Sequence, residues 1–199
     1  MGQNLAAWAE ARARRGAGPA SFAYVSGEVG IGRAIVLDGE IFRGRHGWSG
    51  EIGHLLVDAF GGRGPAAGTL EELAGQDALM VGAGLDPTRP IAHLVAAAEA
   101  GDAPALGSLR RGAQALGIAL ANVVNVVDVS EVVLGGTFRP LFPYLRTAVA
   151  EELAGAVIFA PWSPVLVSTS RAGAYPAMTG AVLATVVADP GSWVPAGRP

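Results

Sequence analysis

Apolar positions change their period along this chain, and the changes mark out its elements. From Asn4 to Arg15, apolar Leu5, Ala6, Trp8, Ala9 and Ala13 interleave with Glu10, Arg12, Arg14 and Arg15. That spacing predicts a short amphipathic helix, stopped by the turn residues at 16–19. Ser21 to Ser26 and Ile31 to Leu37 are β-branched and aromatic runs flanking Gly27 to Gly30, and they predict two antiparallel strands. Asp38-Gly39 is a strong hairpin signal, from which Glu40 to Arg43 pairs back. Leu55 to Asp58 predicts another short strand, and Phe60 to Gly68 is Gly-rich and irregular.

The second half reads as mostly helical. Thr69 to Met80 opens with a capping residue and two carboxylates, which suits a helix start. Pro90 to Ala100 is Ala-rich. Ala103 to Val127 carries Leu106, Leu109, Ala113, Leu116, Leu120, Val123, Val124 and Val127 at helical spacing. Val129 to Leu134 predicts a buried strand ending at Gly135-Gly136, followed by a helix over Leu141 to Leu153, a strand over Val165 to Ser168 and a helix over Ala177 to Ala188. The order predicts a mixed α/β plan. No repeat or linker divides it, so residues 1–199 are expected to form one domain, with 1–20 as a leading helix and turn.

Composition narrows the class. Apolar residues make up 51% and charged residues 16%, a balance that predicts a well-buried globular chain rather than a disordered one. The net charge of −3, with every basic residue an Arg, gives no bulk attraction to nucleic acid or an anionic membrane. With no cysteine, disulfides and thiolate metal sites are excluded. The most apolar stretch, Ala113 to Val129, is interrupted by Gln114, Asn122, Asn125 and Asp128, so it predicts a buried helix and no membrane span. Residues 1–15 have no signal-peptide pattern, and a cytoplasmic location is expected.

Candidate chemistry is concentrated in a few short segments. The Gly27-Glu28-Val29-Gly30-Ile31-Gly32 turn suits either a phosphate approached by backbone N–H groups or a tight hairpin, and the residues alone favour the hairpin. In Gly47-Trp48-Ser49-Gly50-Glu51-Ile52-Gly53-His54, a carboxylate and an imidazole three residues apart can face a common small polar ligand, with Trp48 offering an apolar wall. A solvated Glu and a strand-end His fit the same residues equally well. Thr69-Leu70-Glu71-Glu72 reads first as a helix start and second as a ligand site. Gly135-Gly136-Thr137, between a strand and a helix, reads as a plain turn before a nucleotide loop.

Taken in order, these segments resemble the ROK family of repressors, open reading frames and sugar kinases. Glu51-Ile52-Gly53-His54 fits the family's Glu-x-Gly-His sugar motif, preceded by Asp38-Gly39 and by Arg43-Gly44-Arg45-His46-Gly47. Val132-Val133-Leu134-Gly135-Gly136, the segment from Gly173 to Ala181, and the closing Val187-Ala188-Asp189-Pro190 are also similar to family segments. The resemblance implies an actin-like, ribonuclease-H-like ATPase lobe: a mixed β-sheet with flanking helices. It also implies that Glu51, His54 and Glu71 face a sugar or amino sugar, the last in Gly68-Thr69-Leu70-Glu71, which fits the family's Gly-Cys-Leu-Glu.

The departures point away from a working kinase. Where the family carries the zinc motif Cys-x-Cys-Gly-x-x-Gly-Cys, residues 62–69 have no cysteine, so no metal is expected. Where kinase members place a catalytic Asp, in Asn-Asp-Ala-Asn, this chain has Gly2 before Asn4, and Gly2 cannot accept a proton from a sugar hydroxyl. The second phosphate loop has acidic Glu28 instead of a hydroxyl. Gly30, Gly32, Gly135 and Gly136 are then vestigial phosphate and nucleotide loops, and no cofactor and no catalytic residue is expected. The pattern is similar to the repressor branch: a sugar-sensing effector lobe of a regulator of carbohydrate metabolism, reaching DNA only through a domain that this chain is expected to lack, together with the amino-terminal lobe. A homodimer is expected. The rival reading is a divergent or truncated, glucokinase-like kinase that phosphorylates hexose with ATP.

Overall fold

The structure, a computed structural model, describes residues 2–16, 18–27, 30–47, 49–58, 68–173 and 178–182. The element order is α1 (Gly2–Ala13), β1 (Phe22–Gly27), β2 (Ile31–Leu37), β3 (Glu40–Phe42), a 3₁₀ turn (Ile52–His54), α2 (Leu70–Ala74), α3 (Gln76–Gly82), α4 (Ala92–Glu99), α5 (Ala103–Val127), β4 (Glu131–Gly136), α6 (Phe138–Ala156) and β5 (Leu166–Thr169). The strands form one sheet in the order β3-β2-β1-β4-β5. β1 pairs antiparallel with β2 and parallel with β4, β2 pairs antiparallel with β3, and β4 pairs parallel with β5. This is the expected mixed sheet with flanking helices.

The central strands are buried along β1 and along β4 up to Gly135 because helices cover both faces. Alternation sorts the side chains. Phe22 and Tyr24 of β1, with Ala34, Val36 and Val133, meet Ala6 and Ala7 of α1 on one face. Ala23, Val25, Ile35, Val132 and Leu134 point to the other face, into a larger core with α2, α3, α5 and α6. Each fully buried leucine there, such as Leu116 or Leu120 of α5, contributes about 1.5–3 kcal/mol of hydrophobic stabilisation. α5 begins where the Asp102 carboxylate accepts from the Ala105 N–H at 2.9 Å, and it ends at Asp128 in the left-handed conformation (φ 54). Among the described residues no helix is long and apolar enough to cross a membrane.

Two expected elements differ. The single helix over Thr69 to Met80 is two helices, because Gly75 takes an extended conformation (ψ 157) and serves as the end of α2 and the start of α3. The strand expected over Leu55 to Asp58 is only an isolated antiparallel bridge, Leu56 to Thr69: the pairing is too short to extend into a ladder. Of the helix expected over Ala177 to Ala188, residues 178–182 are helical and the rest lies outside the described residues.

Candidate functional site

The site is built where the start of β2, the 3₁₀ turn and α2 converge. Glu71 lies in the first turn of α2, whose amino terminus is capped by Thr69: the hydroxyl accepts from the Glu72 N–H at 3.4 Å. The Glu71 carboxylate reaches across to β2, where Oε2 accepts from the Ile31 N–H at 3.2 Å. Glycine flanks that oxygen on two sides. A Cβ at Gly30 would stand 2.9 Å from it and a Cβ at Gly53 3.1 Å from it. The glycine of Glu-x-Gly-His therefore has a steric reason: it lets the 3₁₀ turn approach the carboxylate.

His54 closes the 3₁₀ turn and is exposed, while Ile52 and Gly53 are buried beneath it. His54, Glu71 and Gly30 line one cavity of about 520 Å³. Its wall also includes Thr69, Glu72, Gln76 and Asp77, with apolar Ala78 and Val81. Carboxylates accept from hydroxyls, the Gln76 amide and the His54 imidazole can donate or accept, and the apolar side chains give a ring face something to rest on. Among the described residues no Arg lines this cavity.

Glu51 is placed elsewhere. It precedes the 3₁₀ turn with non-helical backbone angles (φ −63, ψ 56), and it lines a second cavity of about 260 Å³ with Ile35, Ile52, Leu55 and the α5 residues Asn122, Val123, Val126 and Val127. The structure thus brings His54 and Glu71 together and puts Glu51 on the far side of the same turn. Trp48 lies outside the described residues.

The remaining glycines lie near the carboxyl ends of β1 and β4. Gly32 and Gly135 face Ser26 of β1 from opposite sides, and Gly136 faces Gly27. The Thr137 N–H donates to the Gly27 carbonyl at 2.8 Å, so the β1 and β4 ends are closed on each other. Carboxyl ends of adjacent parallel strands are where open α/β sheets bind ligands. Among the described residues no group of three or more His, Cys, Asp or Glu side chains is arranged to hold a metal ion.

Sequence reasoning missed Gln76 and Asp77, because reading one continuous helix places them mid-helix instead of on a fresh first turn. Gly75 was the available signal. It also missed a buried polar cluster away from the cavity, formed by Glu10, Arg14, Glu131, Ser168 and Ser170.

The ROK family model ("ROK family") matches residues 3–186. An N-acetylmannosamine kinase of Yersinia pestis (strain Pestoides F) is 33% identical over 154 residues, covering 74% of this chain and 51% of the relative. An uncharacterized protein YphH of Escherichia coli (strain K12) is 31% identical over 132 residues, 58% of this chain and 32% of the relative. The chain spans about half of the length of the first of these curated relatives and about a third of the second. Among solved structures, a ROK family glucokinase from Streptomyces griseus in complex with glucose and AMPPNP superposes with a TM-score of 0.75 at 25% identity, over 90% of this chain and 65% of that one. A ROK family transcriptional regulator, a homolog of the E. coli MLC protein, gives 0.72 at 25% identity, over 93% and 54%. The fold is the actin-like ATPase fold of the ROK sugar kinases.

Proposed function

Since the chain belongs to the ROK family, we propose that it is the sugar-sensing lobe of a ROK-type transcriptional regulator and does not transfer phosphate. One observation carries the sugar part: His54 and Glu71, the residues matching the family's sugar motifs, line one polar cavity with Gln76. The likeness to a glucokinase solved with glucose supports a hexose or amino sugar as the ligand. The likeness to a ROK regulator supports the sensing role. Gly2 at the position of the kinase Asp, and Glu28 in the phosphate loop, argue against turnover: neither a proton acceptor nor a neutral phosphate cradle is supplied.

In this reading Glu71, pinned by Ile31, and His54 hydrogen-bond sugar hydroxyls, and Glu51 and Trp48 join them when the loop from 47 to 54 closes on the ligand. Sugar would then bias a two-state arrangement of a larger regulator and so change its DNA affinity, in a homodimeric cytoplasmic protein. Isothermal titration with hexoses and N-acetylhexosamines tests the ligand. Binding by the wild type, lost in H54A and E71A, supports the proposal, and binding unchanged in both variants refutes it. A coupled ATPase assay with glucose tests the sensing role against the kinase: sugar-dependent turnover would reverse the ranking.

A further inference from the structure

Zinc is the group that family resemblance implies for the loop between His54 and Glu71, and the residues present do not fit it. Residues 59–68 hold no Cys, His, Asp or Glu, and the whole chain holds no Cys. A structural zinc takes four ligands, nearly always including thiolates. His54 and Asp58 precede the gap and Glu71 and Glu72 follow it, but no donor group of three or more occurs among the described residues. Ligands that close a loop do so by holding its two ends together, so the question is what holds these ends.

The ends are held by backbone. The Leu70 N–H donates to the Leu55 carbonyl at 2.9 Å. The Val57 and Asp58 N–H groups both donate to the Gly68 carbonyl, at 2.8 and 3.1 Å. Leu56 and Thr69 form an antiparallel bridge between these bonds. The neck leads directly into the site: Leu55 follows His54 and Leu70 precedes Glu71, so the Leu55–Leu70 bond sets how far apart the two ligand-facing residues stand. Thr69, where the motif's last Cys would be, is 5% exposed and caps α2. Gly68 is in the left-handed region (φ +79), and a Cβ there would stand 1.9 Å from the Asp58 carbonyl oxygen.

We propose that this neck assembles the cavity without a metal ion, with Gly68 and Thr69 as the positioning residues for His54 and Glu71. Thr69 replaces a metal bond with a helix cap, and Gly68 lets the two arms approach closely enough to bond. The ligand half of the proposal rests on the sugar reading above, whereas the metal half stands apart from it.

The test uses the full chain purified without added metal. Elemental analysis should find less than a tenth of an equivalent of zinc, roughly, and a chelator should leave the Tm unchanged. G68A and G68N should both lower the Tm and speed amide exchange at Val57 and Leu70. Asparagine tolerates the left-handed region, so it would rescue a purely conformational requirement, but its Cβ meets Asp58 as alanine's does. T69V should keep a folded circular dichroism spectrum and weaken sugar binding about tenfold through loss of the cap, with T69S restoring it. Stoichiometric zinc, a chelator-lowered Tm, a G68A protein exchanging like wild type, or T69V binding like wild type would each overturn the proposal. If wild type binds no sugar in the panel, the sugar reading fails, and the metal content and amide exchange still decide the neck.

Discussion

Arg14 and Glu131, 117 residues apart in sequence, meet at 2.5 Å through Nη1 and Oε1 inside the protein. The same guanidinium donates from Nε to Glu10 Oε1 at 2.6 Å and from Nη2 to Ser168 Oγ at 2.7 Å. Glu10, fully buried, also accepts from Ser170 Oγ and from the N–H groups of Arg171 and Ala172. The cluster bolts α1 to β4 and to the chain leaving β5. Buried charges are tolerated only when nearly every donor and acceptor is used. Arg14→Met strands two carboxylates and should cost about 3–5 kcal/mol of stability in urea unfolding. A loss under about 1 kcal/mol would mean that the cluster is hydrated and adds little.

The pH dependence of that cluster follows from Arg14. Burial alone would lower its pKa, but the hydrogen bonds that Arg14 donates to Glu10 and then to Glu131 outweigh burial and raise it. A cation with a raised folded-state pKa contributes stability that is fully present below its unfolded value and is lost only as pH rises through the folded one. Both values lie far above neutrality. Arg14 therefore gives the wild-type Tm no step across the neutral range, and a loss of wild-type stability as pH rises there would come from another group.

Much of the fold was legible because local signals agreed with tertiary ones. Ile31–Leu37 and Ala103–Val127 match their sequence bounds: the first is a β-branched run between turns, and the second has capping Asp102, a Pro in its first turn and a long apolar stripe. Asp38-Gly39 is a left-handed pair (φ 53 and 82), as the hairpin signal required. Two things were not legible. The helical period runs on across Gly75, so pattern alone hid the break between α2 and α3. The Arg14 cluster joins residues that no local pattern relates, and each side chain taken singly reads as the charged face of an exposed helix or as a strand end. At the site, residue types left His54 even between a ligand role and a strand end and favoured a helix start for Glu71; the family resemblance alone turned both towards a ligand, and the side of the turn that Glu51 faces depends on one pair of backbone angles.

Two glycines separate close approach from plain flexibility. At Gly135 a Cβ would stand 2.3 Å from the Tyr24 hydroxyl, in the buried centre of the sheet. Gly135→Ala should destabilise by about 1–3 kcal/mol, as overpacking does. Gly155, near the end of α6, has nothing within 4 Å of its Cβ position and no positive φ. Gly155→Ala should stabilise by about 0.5–1 kcal/mol, because alanine loses less backbone entropy in a helix. Thermal unfolding of both variants reads the opposite signs directly, and equal signs would contradict the packing around Tyr24.

The placement of Glu51 makes a graded prediction for sugar binding. His54 and Glu71 already line the polar cavity, so H54A and E71A should each lose about ten- to a hundredfold in affinity, as expected for hydrogen bonds involving charged groups. On the proposed reading Glu51 reaches the same ligand only by leaving the cavity near Asn122, and part of its contact energy would go into that movement. E51A should therefore lose no more than about tenfold. A larger loss by calorimetry would show that the turn already presents Glu51 to the sugar.

If the cavity holds a sugar, as proposed, the charge around it discriminates among sugars. Among the described residues Glu71, Glu72 and Asp77 line it and no Arg does. A phosphate brought within about 4 Å of a carboxylate meets about 1 kcal/mol of repulsion per unit charge pair even at the dielectric of water, and more in a partly enclosed site. Sugar 6-phosphates should accordingly bind at least about tenfold more weakly than the parent sugars. An amine on the ring has the opposite sign, so glucosamine should bind at least as well as glucose at neutral pH and lose that advantage in high salt, where surface charges are screened. Titration of the parent sugar, its phosphate and its amine at two ionic strengths checks all three points. Preference for the phosphate would place the anion on residues away from this carboxylate wall and would argue for a ligand other than the free sugar.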